Sequence, residues 1–198
     1  MDAFVVAPAA PHNDLDAGGP SRLFFALVPS AAVRAAFGEL ARNVARRSRG
    51  RAVSSDHLHL TLAFLGDVSA PAPAMAALHQ IGDGMPRAGG VLVFDTLGAW
   101  RASGVAWVAP AVVPPSILAL HVALAAALAT AGFALEARAF RPHVTLARRC
   151  VQPQPRARCE PVRWPADRLC LVGSELGPEG PVYRELGAWP LALDPSPS

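Results

Sequence analysis

The chain has no lysine: all 18 of its basic residues are arginine. An arginine guanidinium is planar, permanently charged and shaped to hold phosphate oxygens. Coding bias, which also shows in the abundance of Ala, Gly and Pro, accounts for most of that choice and leaves a few arginines for function. Charge is sparse, at 17% of residues against 52% hydrophobic, and the net charge is only +3. Such a balance permits an anionic ligand without demanding one. Cysteine is scarce as well. The three, at positions 150, 159 and 170, are odd in number and lack CxxC spacing. This argues against a disulfide framework and a structural zinc site, and fits a reducing cytosol. The first residues carry Asp2, His12, Asp14 and Asp16 with no basic start and apolar run, so they do not read as a secretory signal. Residues 117–135 form one uncharged run of 19, long enough to cross a bilayer. That run is mostly Ala, carries His121 and opens with Pro114-Pro115-Ser116, so it reads as a buried soluble helix. Gly173-Ser174-Glu175 lacks the full nucleophile-elbow pattern, which leaves a serine hydrolase unsupported.

What is present is a pair of short strings, His59-Leu60-Thr61-Leu62 and His143-Val144-Thr145-Leu146, 84 residues apart. Each alternates polar and apolar residues with the period of a β-strand, so His and Thr share one face. Their surroundings repeat too. An apolar strand and a helix precede each string, with 35 residues from Phe24 to His59 and 36 from Trp107 to His143. This is an internal duplication.

Residues 1–20 read as a mobile leader without periodicity. A strand over 22–28 is stopped by Pro29. Ser30 then caps a helix with Val33, Phe37, Leu40 and Val44 on its apolar face and Arg46, Arg47 and Arg49 at its end, stopped by Gly50. The first His-Thr strand spans 57–65 and closes at Gly66-Asp67. A short helix carrying Met75, Leu78 and Ile81 leads to a hairpin of 91–100 and 105–108. Ser116 caps the second long helix, with Ile117, Leu120, Leu124 and Leu128 on one face and Gly132 at its end. The second His-Thr strand spans 141–149. Residues 152–166, rich in Pro and Arg, read as a loop, 168–176 and 182–189 as a final hairpin, and 194–198 as a loose tail. The class is α+β, with two mainly antiparallel sheets lining a central groove, two pseudo-symmetric lobes within 21–190 and helices outside. The two His-Thr strands face each other across a groove.

An imidazole titrates at about 6.5, so one of an opposed pair can accept a proton while the other donates one. Each such transfer contributes about 10²–10⁴-fold. The Thr hydroxyls face the same way and can donate to phosphate oxygens as charge develops. Arg148, near the end of the second strand, can hold the same phosphate. The constellation needs no metal or other cofactor. His57, His59 and His143 offer a three-His zinc alternative, but no Asp, Glu or Cys is placed as a further ligand or orienter. His79 and His121 lie on or beside apolar helix faces and read as packed or half-exposed rather than catalytic.

These strings give the chain a family likeness. It resembles the 2H phosphoesterases, and among them the bacterial RNA 2′,3′-cyclic phosphodiesterases, also called 2′-5′ RNA ligase-like proteins. The resemblance rests on Arg22-Leu23-Phe24-Phe25-Ala26-Leu27, on His57-Leu58-His59-Leu60-Thr61-Leu62-Ala63-Phe64-Leu65-Gly66, on Phe140-Arg141-Pro142-His143-Val144-Thr145-Leu146-Ala147-Arg148, and on Ser174-Glu175-Leu176 with Tyr183 beyond. It implies a bilobal fold with a central groove. It also implies metal-independent opening of a terminal 2′,3′-cyclic phosphate to a 2′-phosphomonoester. His59 would be the proton donor and His143 the acceptor, with Thr61, Thr145 and Arg148 on the phosphate. Phe25 matches a strand Phe that stacks on the terminal base, or is simply a core residue. His57 stands where relatives often carry Asn. The implied partner is the 3′ end of an RNA or oligonucleotide, met by a cytoplasmic monomer without a membrane. The alternatives are 2′-5′ ligation or cleavage on the same scaffold, a non-catalytic RNA-end binder, and a zinc hydrolase.

Overall fold

The computed structural model describes residues 21–68, 72–135, 139–177 and 180–193. The expected leader and tail lie outside the described residues. The first repeat begins with β1 (Ser21–Leu27), α1 (Ala31–Ser48), the two-residue β2 (Arg51–Ala52) and β3 (Leu60–Val68). After α2 (Ala72–Asp83) and β4 (Gly90–Trp100) come β5 (Val105–Pro110), α3 (Pro115–Thr130) and β6 (Val144–Arg148). The strands β7 (Ala157–Ala166), β8 (Arg168–Gly177) and β9 (Gly180–Pro190) complete the chain. Strand pairing is antiparallel throughout and follows the order β7-β4-β5-β6-β3-β1-β8-β9, with β2 on β6. The α+β class is as expected. The two separate sheets are instead one hydrogen-bonded path, because the two His-Thr strands pair directly with each other. They meet at a single register pair, Leu60 with Val144. No helix among the described residues is long and apolar enough to cross a membrane.

The duplication is visible in the register. On one side Leu27 pairs with Leu60 and Ala26 with Thr61, and then the register slips so that Phe25 meets Ala63. On the other side Val108 pairs with Val144 and Trp107 with Thr145, and then Ala106 meets Ala147. Leu62 and Leu146 are thus extra residues at equivalent places, two β-bulges that re-aim the chain beyond them. Leu62 and Ala63 are both buried in the core, as are Leu146 and Ala147. The next residues, Phe64 and Arg148, therefore land on the face carrying the His and Thr side chains. Strict alternation would have put them in the core.

The helices cross over. The helix of the first repeat, α1, packs on β5, β6 and β7, whereas α3 of the second repeat packs on β3. On α1, Phe37 is fully buried and meets Phe94 and Trp164 edge-on, with ring centroids 5.1 and 5.8 Å away. On α3 the expected face of Ile117, Leu120, Leu124 and Leu128 is fully buried.

Several local expectations are corrected. Helix α1 stops at Arg49, which takes the left-handed conformation (φ 49°), not at Gly50. The Arg49 N–H donates to Arg46 O and the Gly50 N–H to Ala45 O, a double cap that satisfies the last carbonyls. Gly50 is needed for close approach instead, since a Cβ there would lie 2.8 Å from Cys150 Sγ and 2.9 Å from Arg148 O. Helix α3 starts with Pro115 at its first position, where a missing N–H costs nothing, and Ser116 is no cap. The supposed loop over 152–166 contains β7. An edge strand tolerates Pro161 and Pro165, and Trp164 anchors it in the core. The strand expected over 57–65 begins only at Leu60, because Ser55–His57 form a 3₁₀ turn. It also runs past Gly66 (φ 76°) to Val68.

Candidate active site

The same device positions both imidazoles. His59 Nδ1 lies 2.7 Å from the His57 carbonyl oxygen, and His143 Nδ1 lies 2.7 Å from that of Arg141. A carbonyl only accepts, so each Nδ1 carries the proton and donates, which leaves each Nε2 as a lone pair turned to the site. Into the His59 Nε2 the Thr61 hydroxyl donates at 3.1 Å.

Aromatic rings wall both sites. His59 stacks on Phe24 (centroids 4.8 Å, 26° between planes), and Tyr183 meets it edge-on at 5.6 Å. His143 meets Trp100 edge-on at 4.6 Å, and Trp107 lies 5.8 Å from Trp100. Trp107 covers Gly98, where a Cβ would fall 2.3 Å from the indole ring.

Burial against these walls lowers the pKa of His59 to about 4, despite its bond to the His57 carbonyl, with His143 and Arg148 pushing the same way. His143 is lowered by burial too, opposed by the Arg141 carbonyl and reinforced by Arg148. Burial raises the Tyr183 hydroxyl, and Arg148 opposes that rise. The Arg148 guanidinium is thus a common electrostatic neighbour of both imidazoles and the phenol. Among the described residues it enters no ion pair. Ion pairs elsewhere join Arg34 to Asp56, Arg158 to Asp95 and Arg168 to Glu185.

The depressed His59 pKa has a consequence for stability. Below about pH 6.5 the unfolded chain takes up a proton there that the folded chain refuses until about pH 4. Folding therefore loses stability through this group as pH falls from about 6.5 to 4. We expect the melting temperature of His59→Gln to fall less than that of wild type across this window. Parallel curves would contradict it.

The structure brings together His59, Thr61, His143, Thr145 and Arg148 at the seam of the sheet. It does not bring Phe25 there. Phe25 is 0% exposed, and its ring packs 5.9 Å from Trp189 in the core. Its neighbour Phe24 occupies the site face instead, because adjacent strand residues point to opposite sides. The His57 ring is turned onto Tyr183 (4.4 Å, 36°) rather than aligned with His59. No three His, Cys, Asp or Glu side chains among the described residues are grouped as a metal would require. His121 is packed, stacked on Phe140 at 3.9 Å and donating to Leu62 O, and His79 lies beside Trp189. Sequence reasoning missed Phe24, Phe64, Trp100 and Tyr183 as members of the site. The doubled apolar steps Leu62-Ala63 and Leu146-Ala147 were the available signal for Phe64.

Residues 27–178 match the family described as the 2′-5′ RNA ligase superfamily. The chain is 36% identical over 129 residues to the RNA 2′,3′-cyclic phosphodiesterase of Escherichia coli (strain K12), covering 65% of this chain and 72% of that protein. Its fold is similar to that of crystalline E. coli LigT complexed with 3′-AMP, with TM-score 0.75 and 29% identity over 87% of this chain and 99% of that one. A further crystal structure, described as a phosphoesterase, matches with TM-score 0.77 and 30% identity at the same coverage. The paired His-Thr strands, the length of the family match and the shared fold agree: the chain belongs to the 2′-5′ RNA ligase superfamily.

Proposed function

We propose that the protein opens the 2′,3′-cyclic phosphate at the end of an RNA or oligonucleotide to a 2′-phosphomonoester, using His59 and His143 without a metal. One observation carries this reading: two imidazoles with the same carbonyl-fixed tautomer share the seam of the sheet with an unpaired arginine. The name of the E. coli relative supports the choice of substrate. The site lies in a groove between two pseudo-symmetric lobes, one on each side of the Leu60–Val144 pair.

In this reading His143 Nε2 takes a proton from the attacking water as its oxygen bonds to phosphorus. The bond from phosphorus to O3′ breaks, and His59, protonated at Nε2, gives its proton to O3′. Thr61 and Thr145 donate to the non-bridging oxygens, and Arg148 offsets their charge. In the empty site His59 is neutral. An arriving phosphate anion counters the Arg148 field, raises the His59 pKa and frees the Thr61 hydroxyl from Nε2. Substrate thus charges its own acid. The protein acts as a monomer in the cytoplasm, where its free cysteines at 150, 159 and 170 stay reduced. Ligation forming a 2′-5′ linkage is the second reading, favoured by the family description and requiring the same two imidazoles in reverse.

The test is turnover of a 2′,3′-cyclic mononucleotide in EDTA, with the product isomer assigned by phosphorus NMR. A 2′-phosphate is expected. A folded protein without turnover would instead be an RNA-end binder, and activity that returns only with zinc would make His57 and His59 ligands. For kcat/KM we expect a bell with its acid limb near pH 4, where His59 titrates in the free protein, and its alkaline limb below about 6.5, where His143 does. The kcat profile lies at higher pH, because bound phosphate raises both groups. An optimum of kcat/KM above pH 8 contradicts this assignment.

A further inference from the structure

The two imidazoles are held alike, but their surroundings differ. His143 meets the indole of Trp100, whereas His59 meets the phenol of Tyr183. Tyr183 lies on β9 and pairs with Ser174 on β8, which pairs in turn with Arg22 on β1. Its ring crosses β8 to reach Phe24, at 5.5 Å, and His59.

That reach ends in a hydroxyl without a hydrogen-bond partner among the described residues. Nor is the oxygen sealed in, as the unpartnered indole nitrogens of Trp107 and Trp164 are. A Phe would fill the wall equally well, and a half-buried tyrosine hydroxyl ordinarily has a partner. Arg148 is an electrostatic neighbour of Tyr183, His59 and His143 alike. The hydroxyl therefore stands beside the place where a phosphate meets that guanidinium.

His57, where relatives often carry Asn, covers the phenol at 4.4 Å. Its own turn is tied down. The His57 N–H donates to Ser54 O, and Asp56 accepts from Arg34 Nη1 of α1 at 3.3 Å. Three rings, those of Phe24, His57 and His59, thus clamp the phenol.

We propose that Tyr183 is a further catalytic residue, its hydroxyl donating to a non-bridging oxygen of the cyclic phosphate, and that His57 is a positioning residue that holds the phenol there. This rests on the cyclic-phosphate reading above and adds a donor to it. The phenol keeps its proton throughout, since burial holds its pKa above the usual value. Its hydrogen bond strengthens as charge gathers on the oxygen in the transition state.

The experiment measures turnover of a 2′,3′-cyclic mononucleotide by Tyr183→Phe, His57→Ala, His57→Phe and the double variant of Tyr183→Phe with His57→Ala. Tyr183→Phe keeps the ring contacts and removes only the hydroxyl. It should lower kcat by about 10- to 100-fold, the value of one hydrogen bond to a charged group, with KM changed far less. Both limbs of the kcat/KM profile should stay in place. His57→Ala should lower kcat too, yet cost nothing further in the Tyr183→Phe background, where no hydroxyl is left to position. His57→Phe returns a flat ring to the phenol and should recover the rate. A Tyr183→Phe variant with the kcat of wild type, or with either limb displaced, overturns the proposal. So does a His57→Ala loss that is the same with and without the hydroxyl, or that His57→Phe leaves unrepaired. If wild type opens no cyclic phosphate, the reading above fails by itself. Affinity for a nucleoside 2′-monophosphate, measured by calorimetry, then tests the phenol alone. The proposal stands only if Tyr183→Phe weakens that binding and His57→Ala adds nothing to the loss.

Discussion

We expect His143→Ala to lower kcat by about 10²–10⁴-fold, and His59→Ala to do the same. Each imidazole holds its proton on Nδ1 against a fixed carbonyl and turns Nε2 to the site, so neither can stand in for the other without a new orienting bond. The losses do not add. With the base gone the acid has no attacked phosphate to discharge, so the double variant falls little below the worse single one. A spectroscopic signature separates this from simple disruption. His143 helps to depress His59, so the His59 titration seen by NMR moves upward in His143→Ala. Single variants that turn over like wild type would remove the two-imidazole mechanism.

Arg148→Ala carries the second large effect, a loss of about 10²–10³-fold in kcat, the size expected when one donor to a developing anion is removed. It has a signature that a damaged fold would not produce. Arg148 lowers the pKa of both His59 and His143, so its removal shifts both limbs of the kcat/KM profile to higher pH while the rate falls. Arg148→Lys restores the charge and hence the profile, but not the planar fork, so its rate recovers only in part. An unshifted profile in Arg148→Ala would place the guanidinium elsewhere than beside the two rings.

The paired His-Thr strings were legible in the sequence because alternation writes a strand face directly into residue order. Phe25 was left between a base-stacking and a core role because residues 22–28 are apolar almost throughout, and it proves to be a core residue. A strand covered on both sides carries no phase to say which Phe faces the site. Arg148 was placed by its position near the strand end and by likeness, and the bulge at Leu146 that makes the placement work is a property of register between strands. Only the Leu-Ala step hints at it. Strand β7 was hidden by its prolines, since a position at the sheet edge is decided by topology and not by local propensity. The residue that ends α1 was misassigned because glycine is the usual choice for a left-handed cap, while here the glycine next door was required by the contact with Cys150 and Arg148 O.

The crossed helices bear on how such a molecule could have arisen. Each β-α-β repeat lends its helix to the half-sheet of the other, α1 to β5, β6 and β7, and α3 to β3. Neither repeat alone closes a core. A chain encoding one repeat would cover its half-sheet only by exchanging helices with a second copy, with one His-Thr string from each copy and identical residues at both ends of its groove. Carrying both repeats in one polypeptide removes the dependence on concentration that such an exchange would have. It also leaves the two ends free to differ, as Arg148 on one side and Phe64 on the other do.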